Sequence, residues 1–329
     1  MPHPTGSCES RSPQHTLGFR PGGTFKILQF SDVQDGPEPD PRTLRAMGAL
    51  LDAEKPDLVV LTGDTVDTNL CRTEMDIRTA IRGIVEPLET RAVPWAHTMG
   101  NHDVDGLERI GLTKRRMMAM FRRHKFNVNP PEPRGVDGAG NGLLNVCASS
   151  GEGPVFGVWL LDSGAYAPER AGERELGGYD WIRASQVAWY QATSRLVERR
   201  LRRKLPSLMF FHICLPEFEK MWKAGGAVGE RNEAECPARI NSGLFAAALD
   251  RGDVLGMYVG HDHVNTYEGS WFGIRLGFGG SIGYASYGLD AQGEPGRDRL
   301  RGARVFMIRE ADPWTFESRY LCAAEARQE

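Results

Sequence analysis

The chain has little that would tie it to a membrane, a polyanion or a disulfide framework. No apolar run approaches the roughly 20 residues needed to span a bilayer. The N-terminal "MPHPTGSCESRSPQHTLGFRPGGT" is polar throughout, so it lacks the apolar segment of a secretory signal. Basic charge is not in surplus: 40 Lys and Arg against 43 Asp and Glu leave a formal net charge of -3. General attraction to nucleic acid or anionic lipid, which works by counterion release, is thereby disfavoured. Six cysteines (Cys8, Cys71, Cys147, Cys214, Cys236, Cys322) are scattered without a C-x-x-C pair. That spacing argues against a zinc knuckle or disulfide frame and fits free thiols in a reducing, cytoplasmic compartment. Internal repeats, a G-x-G-x-x-G loop between strand and helix, and a nucleophilic Ser or Cys motif are also missing.

With 329 residues, 40% hydrophobic and 25% charged, there is ample material for a buried core. Residues 1–24 read as a flexible arm, 25–322 as one domain and 323–329 as a tail. "FKILQFSD" is a short apolar strand. The next segment, "DPRTLRAMGALLDAEKP", offers Asp40 as a helix N-cap, Pro41 at the first helical position, and Leu44, Met47, Leu50 and Leu51 at helical spacing. "PDLVVLTGDTVD" is a second buried strand, and the grammar recurs before "PWAHTMGNHD", "SLMFFHICLPE" and "DVLGMYVGHDH". Strands alternating with helices predict a sheet core covered by helices. "NGLLNVCAS" and "PVFGVWLLDSG" are neighbouring strands with no helix between them, and "WFGIRLGFGG", "ARVFMIRE" and "WTFESRYLC" add late strands. Together they suggest a second sheet packed on the first. Pro/Gly-rich or polar stretches at 127–142 and 224–237 read as loops near a site.

Five strand ends finish in potential ligands: Asp32 with Gln34, Asp64 with Asp67, "GNHD" at Asn101, His102 and Asp103, His212, and His261 with His263. In an α/β sheet the C-terminal strand ends open onto one crevice, so residues far apart in the chain can meet there. Imidazole nitrogen with carboxylate and amide oxygen suits divalent first-row metals, and two cations close together need a bridging anion, for which Asp64 is the natural candidate. Other features have blander readings. The basic runs "KRRMMAMFRRHK" and "RRLRRK" interleave with apolar residues and read as solvated helix faces over a core stripe. His97 and His124 read as core or surface histidines, Asp67 as a loop brace, and His3 and His15 have no partner pattern. Tyr166, Tyr284 and Tyr287 could face substrate or simply pack.

The ordered set "DVQ", "GDTVD", "GNHD", the lone His212 and "GHDH" resembles the calcineurin-like metallophosphoesterase superfamily, and "FFHICLPEF" with "GHDHVN" is most similar to its purple-acid-phosphatase-like subgroup. The resemblance implies an α/β fold of two packed mixed sheets flanked by helices, a four-layer sandwich. It implies one metal on Asp32, Gln34, Asp64 and His263 and another on Asp64, Asn101, His212 and His261. His102 would serve as proton donor or phosphoryl-oxygen ligand, oriented by Asp103. The implied activity is hydrolysis of a phosphate mono- or diester by a metal-bound hydroxide at a dinuclear centre, without a covalent intermediate. Nucleic acid would enter only as a phosphoester substrate, and no membrane partner is implied. The family pattern has His where this chain has Gln34, and an amide oxygen is a weaker donor than imidazole. The first site should therefore bind less tightly and lean toward Mg²⁺ or Mn²⁺ rather than Zn²⁺, and of Mn, Mg, Fe or Zn for the two divalent ions Mn is favoured. Asp67 stands where purple enzymes carry a tyrosine, so no purple colour is expected. The reading from a different class is a non-catalytic or single-metal phosphate-binding protein.

Overall fold

The computed structural model of the chain describes residues 16–293 and 296–326. The first sheet begins with parallel strands β1 (Thr24–Phe30), β2 (Leu58–Thr62) and β3 (Trp95–Thr98). Their crossovers are α1 (Pro41–Glu54) and α2 (Glu74–Thr90), and β3 is followed by α3 (Leu107–Ile110) and α4 (Lys114–Phe121). The chain then enters the second sheet through the antiparallel pair β4 (Gly142–Cys147) and β5 (Pro154–Leu160). A short hairpin, β6 (Arg170–Ala171) and β7 (Arg174–Glu175), precedes α5 (Ala184–Leu201). Next come β8 (Ser207–Phe210), α6 (Glu217–Ala224), α7 (Leu244–Arg251), β9 (Val254–Val259), β10 (Glu268–Trp271) and β11 (Ile274–Phe278). Finally β12 (Gly302–Arg309) and β13 (Asp312–Cys322) return to the first sheet, giving orders β13-β12-β1-β2-β3 and β10-β11-β9-β8-β5-β4.

Local chemistry explains the boundaries. Asp40 accepts from the Arg42 backbone N–H at 2.8 Å and Pro41 opens α1, as the sequence predicts. At α2, Thr73 and Asp76 form a reciprocal capping box. Strand alternation then sorts the apolar residues into three layers. Ile27, Val60, Phe156, Leu208 and Phe306 fill the space between the sheets. Leu28 and Val59 turn to the other side, onto Met47, Leu50, Ile81 and Phe121 of the helices. Met209 and Met257 pack on Tyr190, Phe218 and Leu244. The result is the expected α/β arrangement of two mixed sheets flanked by helices. Among the described residues no helix is long and apolar enough to cross a membrane.

Two expectations need correction, the extent of the arm and the set of free thiols. The implied arm over residues 1–24 ends sooner: Leu17 and Phe19 are buried, and the Phe19 N–H donates to the Cys147 carbonyl at 2.9 Å, so this stretch runs beside β4. Its alternating apolar pattern is what the core captures; residues 1–15 lie outside the described residues. At the other end, Ala323 is buried, so the tail begins packed, and 327–329 lie outside the described residues. Cys147 is disulfide-bonded, whereas Cys71, Cys214, Cys236 and Cys322 are free. A set of free thiols alone does not describe this chain.

Candidate metal centre

The loops after β1, β2, β3, β8 and β9 carry the ligand motifs, and their backbones interlock. The Gln34 N–H donates to the Asp64 carbonyl at 2.8 Å, the Asp32 N–H to the Gly63 carbonyl at 3.2 Å, and the Gly260 N–H to the His212 carbonyl at 3.2 Å. Among the described residues only eight non-glycines hold a left-handed backbone, and Asp32, Gln34, Asp64 and His261 are four of them. Such strain costs about 1 kcal/mol or more per residue and persists where the surroundings over-determine it. Two motif glycines make the interlock possible. A methyl group at Gly100 would lie 2.1 Å from Asp64 Oδ1, and one at Gly260 would lie 1.8 Å from Ser31 Oγ and 2.6 Å from Asp32 Oδ2.

The side chains form two clusters that share Asp64. Ligand atoms of Asp64, His212 and His261 lie within 4.8 Å of one another, as do those of Asp32, Asp64 and His263, and all five residues are buried. His212 Nε2 stands 3.1 Å from Asp64 Oδ2 and 3.2 Å from Asn101 Oδ1, while its Nδ1 lies 2.8 Å from the Thr62 carbonyl. With Nδ1 donating to that carbonyl, Nε2 faces two acceptors and needs a cation or a proton between them. Burial pushes the His212 imidazole down, but the Asp64 carboxylate overrides it and carries it up to about 10. His261, buried beside His212, is held well below its ordinary range and so stays neutral. Burial works against the Asp32 anion, yet His263 and His212 hold it ionised, at about 2; His263 Nε2 is 3.3 Å from Asp32 Oδ1.

Gln34 Oε1 and His261 Nε2 are buried without a hydrogen-bond partner, and Asp64 Oδ2 faces the His212 imidazole. Each such orphan costs about 1–3 kcal/mol unless something satisfies it. Asp64 and His261 belong to one cluster of ligand atoms, and these electron-pair donors fit a site for hard or borderline divalent cations.

At the rim, the His102 N–H donates to Asp64 Oδ1 at 2.8 Å. Its ring is oriented by Asp105, with Nδ1 2.7 Å from Asp105 Oδ2. Asp103, the orienting residue implied by the family resemblance, instead turns inward. Its carboxylate accepts from the backbone N–H of Thr65 at 3.1 Å, Val66 at 2.9 Å and Gly100 at 2.9 Å, so it braces two ligand loops. Buried N–H groups must find acceptors, and Asp103 is the group within reach. Asp105, three residues after His102, falls on the same side of the turn; the only sequence signal for it was that spacing. Burial opposes protonation of His102, but Asp105 and Asp64 raise it to about 9. Asp67 accepts from the Asn69 N–H at 3.0 Å, a loop-bracing contact.

Aromatic rings frame the clusters. Tyr287 stacks on His263 with centroids 4.0 Å apart and 9° between planes, and Tyr179 meets His261 edge-on at 4.2 Å. The Asn101 amide Nδ2 donates to the Tyr166 oxygen at 3.1 Å. Tyr284 packs instead against the helix-side core, with the Arg42 guanidinium 5.1 Å from its ring centre. His97 is buried and stacked on Phe121. In the basic run, Met117, Met118, Met120 and Phe121 of α4 are buried while Arg115 and Arg116 stay outside, a solvated face over a core stripe, and the half-buried Lys114 pairs with Asp162 at 3.2 Å.

Residues 25–265 match the family model of the calcineurin-like phosphoesterases, and the chain belongs to that family. It is 33% identical over 306 residues to probable inactive purple acid phosphatase 29 of Arabidopsis thaliana, covering 83% of this chain and 75% of that protein. It is 32% identical over 270 residues to phosphatase DCR2 of Saccharomyces cerevisiae, covering 74% of this chain and 45% of the yeast protein. Among solved structures, a dimetal phosphatase from Danio rerio superposes with a TM-score of 0.54 at 15% identity, over 90% of this chain and 96% of that one. GAP50, described as the anchor in the inner membrane complex of Plasmodium, gives 0.55 at 10% identity, over 92% and 86%. The two structural likenesses speak to the fold alone. The family uses divalent metals, and the two clusters here supply ligands of the kind such metals take.

Proposed function

We propose that this chain is a metal-dependent phosphoesterase that hydrolyses a phosphate ester at a dinuclear centre. Asp32, Gln34, Asp64 and His263 would hold one cation, and Asp64, Asn101, His212 and His261 the other, with Asp64 in common. The observation that carries the proposal is the pair of buried clusters, Asp64 with His212 and His261 and Asp32 with Asp64 and His263, which share Asp64 and in each of which the ligand atoms lie within 4.8 Å of one another, with His261 Nε2 left without a hydrogen-bond partner. When bound, the cations supply Lewis acidity, which activates water and neutralises phosphoryl oxygens. The chain's own residues do the rest. Thr62 and Tyr166 aim His212 and Asn101 inward, and Asp103 holds the β2 and β3 loops in register. His102, aligned by Asp105, donates a proton to the departing ester oxygen or binds a phosphoryl oxygen. The donor set, weakened at Gln34, favours Mn²⁺ or Mg²⁺.

A single-metal or non-catalytic phosphate-binding protein is the second reading, favoured by Gln34 and by relatives named as probably inactive. Intact His102 and Asp105 speak for catalysis. The described cysteines point to no single compartment, because Cys71, Cys214, Cys236 and Cys322 as free thiols suit a reducing one and the bonded Cys147 suits an oxidising one.

The deciding experiment measures metal stoichiometry together with turnover of p-nitrophenyl phosphate and bis(p-nitrophenyl) phosphate under Mn²⁺, Mg²⁺, Zn²⁺ or Fe²⁺, with His102→Ala alongside. Two equivalents of metal and a rate that falls about a hundredfold or more in His102→Ala are expected. No turnover with any metal, at full metal loading, sinks the catalytic reading and leaves the binding one.

A further inference from the structure

Tyr166 and Tyr179 belong to none of the ligand motifs. They stand between β5 and α5, where an antiparallel bridge joins them at the base of the β6–β7 hairpin. Their rings therefore emerge together, with centroids 5.8 Å apart and 27° between planes. Tyr179 leans on His261 and the Tyr166 oxygen is pinned by Asn101. The Tyr166 phenol also interacts with Asp105, the carboxylate that holds His102. Even so, Tyr166 is 49% exposed. A ring fastened at its hydroxyl cannot turn away from solvent, so its open face is available to whatever lies beside His102.

From this placement we propose that Tyr166 and Tyr179 form the leaving-group wall, selecting phosphate monoesters whose leaving group is an aromatic ring carried directly on the ester oxygen. The inference rests on the phosphoesterase reading above. The wall starts one hydrogen bond from Asn101, so it meets the group next to the phosphoryl, whereas a sugar or glycerol spacer would carry a ring past it. Among the described residues no Lys or Arg side chain bonds a candidate ligand, His102 or either tyrosine, and the nearby carboxylates are Asp67 and Asp105. The exposed Arg239 beside Gly178 donates to the Leu176 carbonyl, so the face that the two rings offer is aromatic rather than cationic and suits a ring better than a second phosphate. In the step itself, a water oxygen bonds to phosphorus as the ester P–O bond breaks toward the aryl oxygen. That oxygen takes the proton held by His102, and the water's proton restores the imidazole; the products are a phenol and inorganic phosphate.

The test uses the full chain loaded with Mn²⁺ and compares phenylphosphonate with methylphosphonate by calorimetry, which needs no turnover. Wild type should bind phenylphosphonate about five- to tenfold more tightly, the factor expected for one added aromatic contact. Tyr179→Leu and Tyr166→Leu should bring the ratio to within about twofold, while Tyr179→Phe, which keeps the ring, should preserve it. The same ratio change should appear in kcat/KM for phenyl phosphate against ethyl phosphate. A wild-type ratio near one, or an unchanged ratio in a folded leucine variant, overturns the wall. If wild type binds neither phosphonate, the phosphoesterase reading falls and this inference falls with it.

Discussion

Around His212 each donor is held by a second contact, whereas around His263 the holding is looser, although both clusters share Asp64. His212 is anchored through Nδ1 to the Thr62 carbonyl at 2.8 Å, Asn101 through its amide to Tyr166 at 3.1 Å, and His261 against the Tyr179 ring. On the other side, Asp32 is well fixed by Ser31 and the His261 N–H and the His263 ring is stacked on Tyr287, but His263 Nδ1 reaches the Tyr287 carbonyl only at 3.4 Å and the Gln34 amide oxygen is a weaker donor than imidazole. Contacts behind a ligand set its direction and basicity, and losing one typically costs about 10–100-fold in metal affinity. The two clusters should therefore fill in order, the His212 side first.

The strongest way to break this comparison is Asp64→Asn, which removes the shared anion. Elemental analysis after dialysis should fall from two metals per chain to at most one, and initial rates should drop about a thousandfold, the equivalent of several kcal/mol of lost charge stabilisation. Two tightly bound metals in that variant would mean the clusters are independent of Asp64. Next, His212→Ala should weaken the tight step of a metal titration by about a hundredfold or more, while Gln34→Ala should weaken only the loose step, by about tenfold. Equal effects would erase the proposed order. A smaller change is expected from Tyr166→Phe, which frees the Asn101 amide to rotate: about tenfold on the tight step and none on the loose one, read from the same titration. Smallest is Gln34→His, which should tighten the loose step about fivefold and tilt it toward Zn²⁺. Identical metal preference before and after would remove Gln34 as the cause of the asymmetry.

Convergence of the ligand types was legible because it follows from topology. Parallel strands separated by helices end on one edge of their own sheet, so Asp32, Asp64 and Asn101 share one edge and His212 and His261 another, and packing of the two sheets brings the edges together. Asp105 was not legible, because "NHDVD" offers two carboxylates near His102 and only the fold shows that Asp103 is claimed by three buried N–H groups. The spacing of Leu17 and Phe19 did carry a period-two signal, but polar neighbours masked it, and their burial depended on β4 having an open edge. Tyr179 gave no signal at all, since nothing local links a hairpin tyrosine to a histidine that follows β9.

By itself, the sequence determined which electron-pair donors sit at the ends of which strands, because hydrophobic periodicity and capping fix where each strand stops. Tertiary structure alone decided which carboxylate holds His102, which rings wall the centre and how firmly each cluster is braced. Those outcomes turn on side-chain direction across loops that meet only after the two sheets have packed.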